Sequence, residues 1–380
     1  QIIRIYNQET FVEFDWLIGP IPKEKANGIE VITRYSTNLK SESTFYTDSN
    51  GRELLKRVKD FRPTWKLNLT EQVASNYYPV TSKILIRDPN DGIEVAVLTD
   101  RAQGGTSLKD GEIELMLHRN CLNDDGFGVD ESLDEMAFGK RLVVRGSHYL
   151  TAGSYVRPNG ADKSLAAQER DLAQRKLLQA WTFVSPNNGL NYEQYWAKYS
   201  MHFSGLKRAL PDNVQILTLE PWYGMNFLLR LEHYLEKDED PVLSKPVTVD
   251  LKNLFASFDI ISYRETTLGA NQWIEENRRL IFNASKASDL VHQYAVEKQN
   301  QMDNSILSYL KDDPIWVDGA KKWLRNQVDS NDINVNQSPL NYQTQPSRTS
   351  STQNFLITLN PMQIRTFILD IRMLPIKRNM

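Results

Sequence analysis

Over residues 1–150 the chain is a succession of short runs in which apolar and polar residues alternate, each closed by a turn signal. FVEFDW (11–16), GIEVIT (28–33), SKILI (82–86), IEVAVLT (93–99) and LVV (142–144) are such runs. Gly-Pro at 19–20, Ser-Asn-Gly at 49–51, Pro-Asn-Asp-Gly at 89–92 and Asn-Asp-Asp-Gly at 123–126 separate them. Successive side chains on a strand point to opposite faces, so short period-two runs suit sheets with one covered face. Many such runs with turns between them predict an all-β sandwich or barrel. The spacing also predicts one helix over 164–181, with Leu165 and Leu172 on one side.

Strand patterning returns at 214–218, 227–233, 247–251 and 258–261. Residues 355–359 and 362–370 read as a closing hairpin around Asn360-Pro361, with Ile357 and Leu359 facing Ile364 and Thr366. Between these stretches the character changes. Helical spacing runs through 289–310 and 315–328, where Trp316, Ala320, Trp323 and Leu324 share a face. The Asn-, Gln-, Ser- and Pro-rich stretch 329–352 then reads as a mobile linker. At 380 residues the chain is too long for one small core. The expectation is a mainly β protein: a large β-sandwich domain at 1–210, then a smaller C-terminal β-sandwich domain at 211–380. The second carries a helical and disordered insertion at about 286–352.

The net charge of −3, with both signs interspersed, argues against a nucleic-acid footprint. Apolar runs such as VAVL (95–98) fall far short of the roughly 20 residues that a membrane helix needs. One cysteine, Cys121, rules out an internal disulfide and by itself suggests a reducing compartment. Glycosylation sequons at Asn68, Asn283 and Asn336 point the other way, the last weakened by Pro339, so these residues leave the compartment open. The chain opens at Gln1 inside a strand-like run, QIIRIY, which is the pattern of a processed or cut fragment.

Chemistry of its own is hard to find. His118, His148, His202, His233 and His292 share no metal-type spacing with one another or with Cys121, and each reads better as a surface or core histidine. There is no G-x-S-x-G, P-loop or dinucleotide fingerprint. The pair Gly104-Gly105 lies in a polar connection between two strand runs and lacks the strand–turn–helix context of a phosphate cradle. Asp124-Asp125 is compatible with an acid pair, but Asn-Asp-Asp-Gly is foremost a turn sequence. The aromatics offer surfaces for sugar stacking, although Trp16, Trp196 and Trp222 sit in strand or helix contexts where core packing is the default.

Read as whole segments, the chain resembles the C-terminal half of lysosomal-type alpha-mannosidases, glycoside hydrolase family 38. The carrying stretches are EFDWLIGPIP (13–22), FYTDSNGRE (45–53), FRPTWKLN (61–68), NYYPV (76–80), LTDRAQGGTSL (98–108) with Asp110-Gly111, and ELMLHR (114–119). DDG (124–126), FSGL (203–206), LRLEH (229–233), ETTL (265–268) and PMQIRTF (361–367) continue the series in order. Ordered matches over about two thirds of a chain are far more specific than one short motif. Residues 286–352 have no counterpart in the family pattern.

The resemblance implies a galactose-mutarotase-like supersandwich for the large domain. It also implies a retaining, zinc-dependent exo-glycosidase that removes terminal alpha-linked mannose. The catalytic carboxylates and Zn2+ ligands then belong to an N-terminal barrel domain, so no catalytic or metal residue carries over to this chain. A substrate-facing wall does carry over: Gly104, Gly105, Arg119, Asp124 and Asp125. The family often places a second basic residue directly after this Arg, where the chain has Asn120 and Cys121. Implied partners are the N-terminal catalytic chain of the same precursor and mannose-containing glycans, with room for a homodimer of the whole enzyme and no nucleic acid or membrane. The implied location is lysosomal or secreted. A non-catalytic carbohydrate-binding or structural β module is the competing reading, and a hairpin connection with no substrate role is the competing reading of Gly104–Gly111.

Overall fold

The computed structural model describes residues 1–22, 27–156, 163–277 and 354–375. The chain divides into two compact units, residues 1–268 with 354–380, and residues 269–353. Only 269–277 of the second are described. The expected helical insertion and linker, with Asn283, His292 and Asn336, therefore lie outside the described residues.

The first unit opens with β1 (Ile2–Ile5), β2 (Val12–Ile18), β3 (Ile29–Ser36), β4 (Thr44–Ser49) and β5 (Glu53–Val58). Then come β6 (Tyr78–Val80), β7 (Lys83–Asp88), β8 (Ile93–Thr99), β9 (Gln103–Thr106) and β10 (Glu112–Asn120). The short pair β11 (Met136–Ala137) and β12 (Lys140–Arg141) precedes the long β13 (Val144–Ser154). One sheet has the order β1-β2-β13-β8-β7-β4-β5 and a second the order β3-β10-β9-β6. They face each other across a core of Tyr35, Phe45, Val80, Ile84, Ile86, Val97, Ile113 and Leu115. This is the expected large β-sandwich.

The larger sheet is covered on its other face too. Phe11, Leu85, Ala96, Leu98 and Tyr149 pack there against Leu172 of helix α1 (Leu165–Leu177). That double burial explains why β7 and β8 read as nearly unbroken apolar runs rather than strict alternation. The helix starts at the expected residue: the Ser164 hydroxyl accepts from the Ala167 amide at 3.1 Å, a side-chain N-cap. It stops at Leu177, four residues short of the expected end. Residues Leu142 and Val143 are not strand, and β13 begins one residue later.

A short helix α2 (Tyr192–Lys198) leads to the second sandwich, made of β14 (Val214–Pro221), β15 (Asn226–His233), β16 (Val247–Asp250) and β17 (Phe258–Thr266) with β18 (Leu356–Leu359) and β19 (Ile364–Met373). Its sheets run β14-β15-β19-β17 and β16-β18, closing on Leu229, Leu231, Leu254, Phe255, Leu359, Phe367 and Leu369. The closing hairpin expected at 355–370 does not form. The strand β18 pairs with β16, whereas β19 pairs with β15 and β17. Leu359 and Phe367 are both fully buried, so the turn between them carries the chain from one sheet across the core to the other.

The two sandwiches meet through α1 and the loop after β15. Ala167 packs on Tyr234 and Leu235. Arg170, almost fully buried, donates to Glu239 at 2.5 and 2.8 Å, to the Gly51 carbonyl at 3.0 Å and to the Arg52 carbonyl. Arg52 in turn pairs with Glu232, and the Ser164 amide donates to Asp240 at 2.8 Å.

Candidate functional site

The expected substrate-facing residues all lie on or just beyond the smaller sheet of the first sandwich, and one irregularity decides where they point. In β10 the register against β3 shifts between Met116 and His118, leaving Leu117 as an extra residue. Up to that point Ile113 and Leu115 face the core, and strict alternation would send Arg119 inward with them. The bulge reverses the parity, because such an insertion re-aims every side chain beyond it. Asn120 becomes buried instead, donating to the Leu133 carbonyl at 2.9 Å and to Asp134 at 3.1 Å. Arg119 stays on the outer face beside Glu30, its cross-strand neighbour, at 3.8 Å.

That outer face carries a ladder of polar pairs. Ser36 meets Glu112, and Arg34 meets Glu114 at 2.6 Å. The Tyr77 hydroxyl also donates to Glu114, at 2.6 Å. Burial, reinforced by that acceptor, pushes the Tyr77 phenol well up, which keeps it protonated and donating.

Gly104 and Gly105 are needed because the backbone there lies close against its neighbours. Both sit in β9, and neither has a positive φ. A Cβ on Gly105 would lie 2.8 Å from Val80 Cγ2 and 3.1 Å from both Ile84 Cδ1 and Leu115 Cδ2. On Gly104 it would lie 3.1 Å from the Tyr77 ring. Gly105 lets β9 close onto the core, and Gly104 seats Tyr77 above it. Nor is the segment a hairpin connection between β8 and β10, which belong to different sheets. It is a crossover that adds β9 to the edge of β10 through Glu114–Thr106 and Leu115–Gly105 pairing.

Asp124 and Asp125 form the turn that their sequence suggests. Their carboxylates accept from the Gly126 and Phe127 amides at 2.7 and 2.9 Å. Among the described residues no hydrogen bond or ion pair joins them to Arg119. The depression beside Arg119, bounded by Ile21, Asn120, Leu133 and Arg141, encloses about 10 Å³, room for about one water. The face is a polar surface, not a closed pocket.

The larger cavity, about 250 Å³, opens on the opposite side of the sandwich, between β13 and α1. Beside it Lys83 pairs with the fully buried Glu169 at 3.0 Å, and the Thr151 hydroxyl donates to the same carboxylate at 2.8 Å. Burial pushes the Glu169 carboxyl up, against the pull of Lys83.

The histidines vary in setting. His148 and His233 are buried and hydrogen-bonded, His118 is half-buried and His202 exposed. Cys121 is a half-buried free thiol. Trp16 is a core residue as expected, but Trp196 and Trp222 are not: they are 56% and 40% exposed. Asn68 is exposed in the loop between β5 and β6. Among the described residues no three His, Cys, Asp or Glu side chains group so as to hold a metal ion, and none of these sites fits zinc. Nor is any described helix long and apolar enough to cross a membrane.

Residues 1–127 match the glycosyl hydrolases family 38 C-terminal domain, and residues 213–296 match the glycosyl hydrolases family 38 C-terminal beta sandwich domain. Lysosomal alpha-mannosidase of Bos taurus is 45% identical over 282 residues, covering 74% of this chain and 27% of that protein. The Homo sapiens protein of the same name is 46% identical over 282 residues, with the same two coverages. Alpha-mannosidase of Canavalia ensiformis is 35% identical over 376 residues, covering 97% of this chain and 32% of that protein. A solved alpha-mannosidase from Enterococcus faecalis V583 aligns with a TM-score of only 0.37 at 13% identity, over 62% of this chain and 23% of that one, too loosely to bear on the fold. The chain thus spans between about a quarter and a third of the curated relatives. Two family matches in the family's order, on a double sandwich, lead to one conclusion: this chain belongs to glycosyl hydrolase family 38, as its C-terminal region.

Proposed function

We propose that this chain is the C-terminal, non-catalytic part of an alpha-mannosidase that removes terminal alpha-linked mannose from glycans. The observation that carries the reading is 45–46% identity over 282 residues to proteins named lysosomal alpha-mannosidase. In such an enzyme two carboxylates divide the work of nucleophile and acid/base. Zinc would supply electrostatic stabilisation at sugar oxygens. Those groups belong to the part of the protein before this region, as does the Zn2+ site. The location proposed is the lysosome, after the names of the relatives.

This chain's contribution would be structural and local. The two sandwiches support the catalytic part, and the outer face of the smaller sheet forms one wall of the glycan site. The Leu117 bulge holds Arg119 outward, with Glu30 orienting a guanidinium whose several N–H donors suit sugar hydroxyls. Gly104 and Gly105 set the strand beside it, and Asp124 and Asp125 shape the turn beyond.

In the complete protein, Arg119→Ala is expected to lower kcat/KM on alpha-mannosides about 10-fold or more, the worth of one charged hydrogen bond. Stability should stay within about 0.5 kcal/mol, as for an exposed side chain. Unchanged kinetics would remove Arg119 from the wall.

A further inference from the structure

Between α1 and β14, residues 178–203 are exposed apart from the half-buried Leu190 and Tyr195. Trp181, Phe183, Val184, Tyr192, Trp196 and Phe203 are between 56% and 94% exposed. Single exposed apolar side chains are ordinary, but a run of large ones marks an interaction surface. Over 177–203 the only Asp, Glu, Lys or Arg residues are Glu193 and Lys198. Depletion of charge with enrichment in aromatics is the composition of an interface centre.

The segment is nonetheless shaped. Trp181 stacks on Phe183 with centroids 6.3 Å apart, Tyr192 lies 6.0 Å from Trp196, and the Ser185 and Tyr195 hydroxyls are 2.8 Å apart. The helix α2 has a complete capping box between Asn191 and Gln194, yet no buried residue. Seven residues are far fewer than the roughly 12–15 at which a helix is even marginal in water, so α2 needs a packing partner that the described residues do not supply. Both ends are fixed: α1 lies on the larger sheet, and Leu206 bridges to Phe255.

We propose that residues 178–203 are the docking surface for the part of the same protein that precedes this C-terminal region. The inference rests on the reading of the chain as one region of a longer family 38 protein. The chain covers 27% of the Bos taurus relative, so most of such a protein lies elsewhere. A contact this apolar suits a permanent partner covalently or lastingly joined to it.

The test is a photo-crosslink. In the complete protein, Trp196 is replaced by p-benzoylphenylalanine, the sample is irradiated, and adducts are mapped by mass spectrometry. Mixing isotope-labelled with unlabelled protein separates contacts within one copy from contacts between two. The expected adducts join position 196 to residues that precede this region, within one copy. Adducts confined to residues 1–380, adducts between two copies, or none would overturn the proposal. Hydrolysis of an alpha-mannoside by the same sample before irradiation is read separately. An active sample without the expected adducts overturns the docking surface and leaves the enzymatic reading standing; an inactive one with them does the reverse.

Discussion

His148 is buried between the two sheets of the first sandwich, and its neighbours determine its state. Gln103 Nε2 donates to the Met116 carbonyl at 2.9 Å, so Gln103 Oε1 is the acceptor 2.8 Å from His148 Nε2. His148 therefore carries its proton on Nε2, and Nδ1 accepts from the Tyr35 hydroxyl at 3.0 Å. Burial lowers the imidazole to about 4; Asp100 acts to raise it and Arg101 to lower it further. A histidine depressed below its unfolded value binds fewer protons folded than unfolded in the window between them. The stabilisation is thus complete above about 6.5 and is lost as pH falls towards 4, by up to about 3 kcal/mol. Urea midpoints across that window should fall more steeply for the native protein than for His148→Gln. Parallel curves would show that the buried imidazole is not held neutral.

At the scale of elements, the seating of α1 on the larger sheet contains a buried ion pair. Lys83 and Glu169 are each almost wholly out of water, with Thr151 as the third partner. Such a pair contributes little net stability against apolar side chains of the same size, while breaking it on one side leaves a buried charge. Lys83→Met is expected to cost about 3–5 kcal/mol, and adding Glu169→Leu should recover most of that. Chemical denaturation of the single and double variants decides it: a double variant no more stable than the single would contradict this account.

At the scale of the molecule, Arg170 ties the sandwiches together. Its guanidinium holds the turn at Gly51-Arg52 of the first sandwich and Glu239 beyond β15 of the second. Removing it strands Glu239 and two carbonyls at a nearly dry boundary, a loss of about 3–5 kcal/mol. Calorimetry of Arg170→Ala should resolve separate transitions for the two sandwiches. One retained transition would mean that Ala167, Tyr234 and Leu235 couple them without it.

Much was legible in the sequence. The runs at 11–16, 28–33, 82–86 and 93–99 fell on β2, β3, β7 and β8 because a strand's pattern records which of its own faces is covered, whereas Leu142 and Val143 of the run at 142–144 lie before β13. Ser164 marked the start of α1 because a cap is a local hydrogen bond. The ordered segments pointed to the family. What the sequence left undecided depended on contacts between distant residues. Alternation does not say which sheet a strand joins, so β18 and β19 read as a hairpin when each pairs elsewhere. Leu117 carries no mark of a bulge, yet its extra residue turns Arg119 from the core to the surface. Nothing local to Gly105 shows that Val80, Ile84 and Leu115 stand where its Cβ would be. Strand and cap are properties of neighbours in the chain; partner, face and fit are set by residues that only folding brings together.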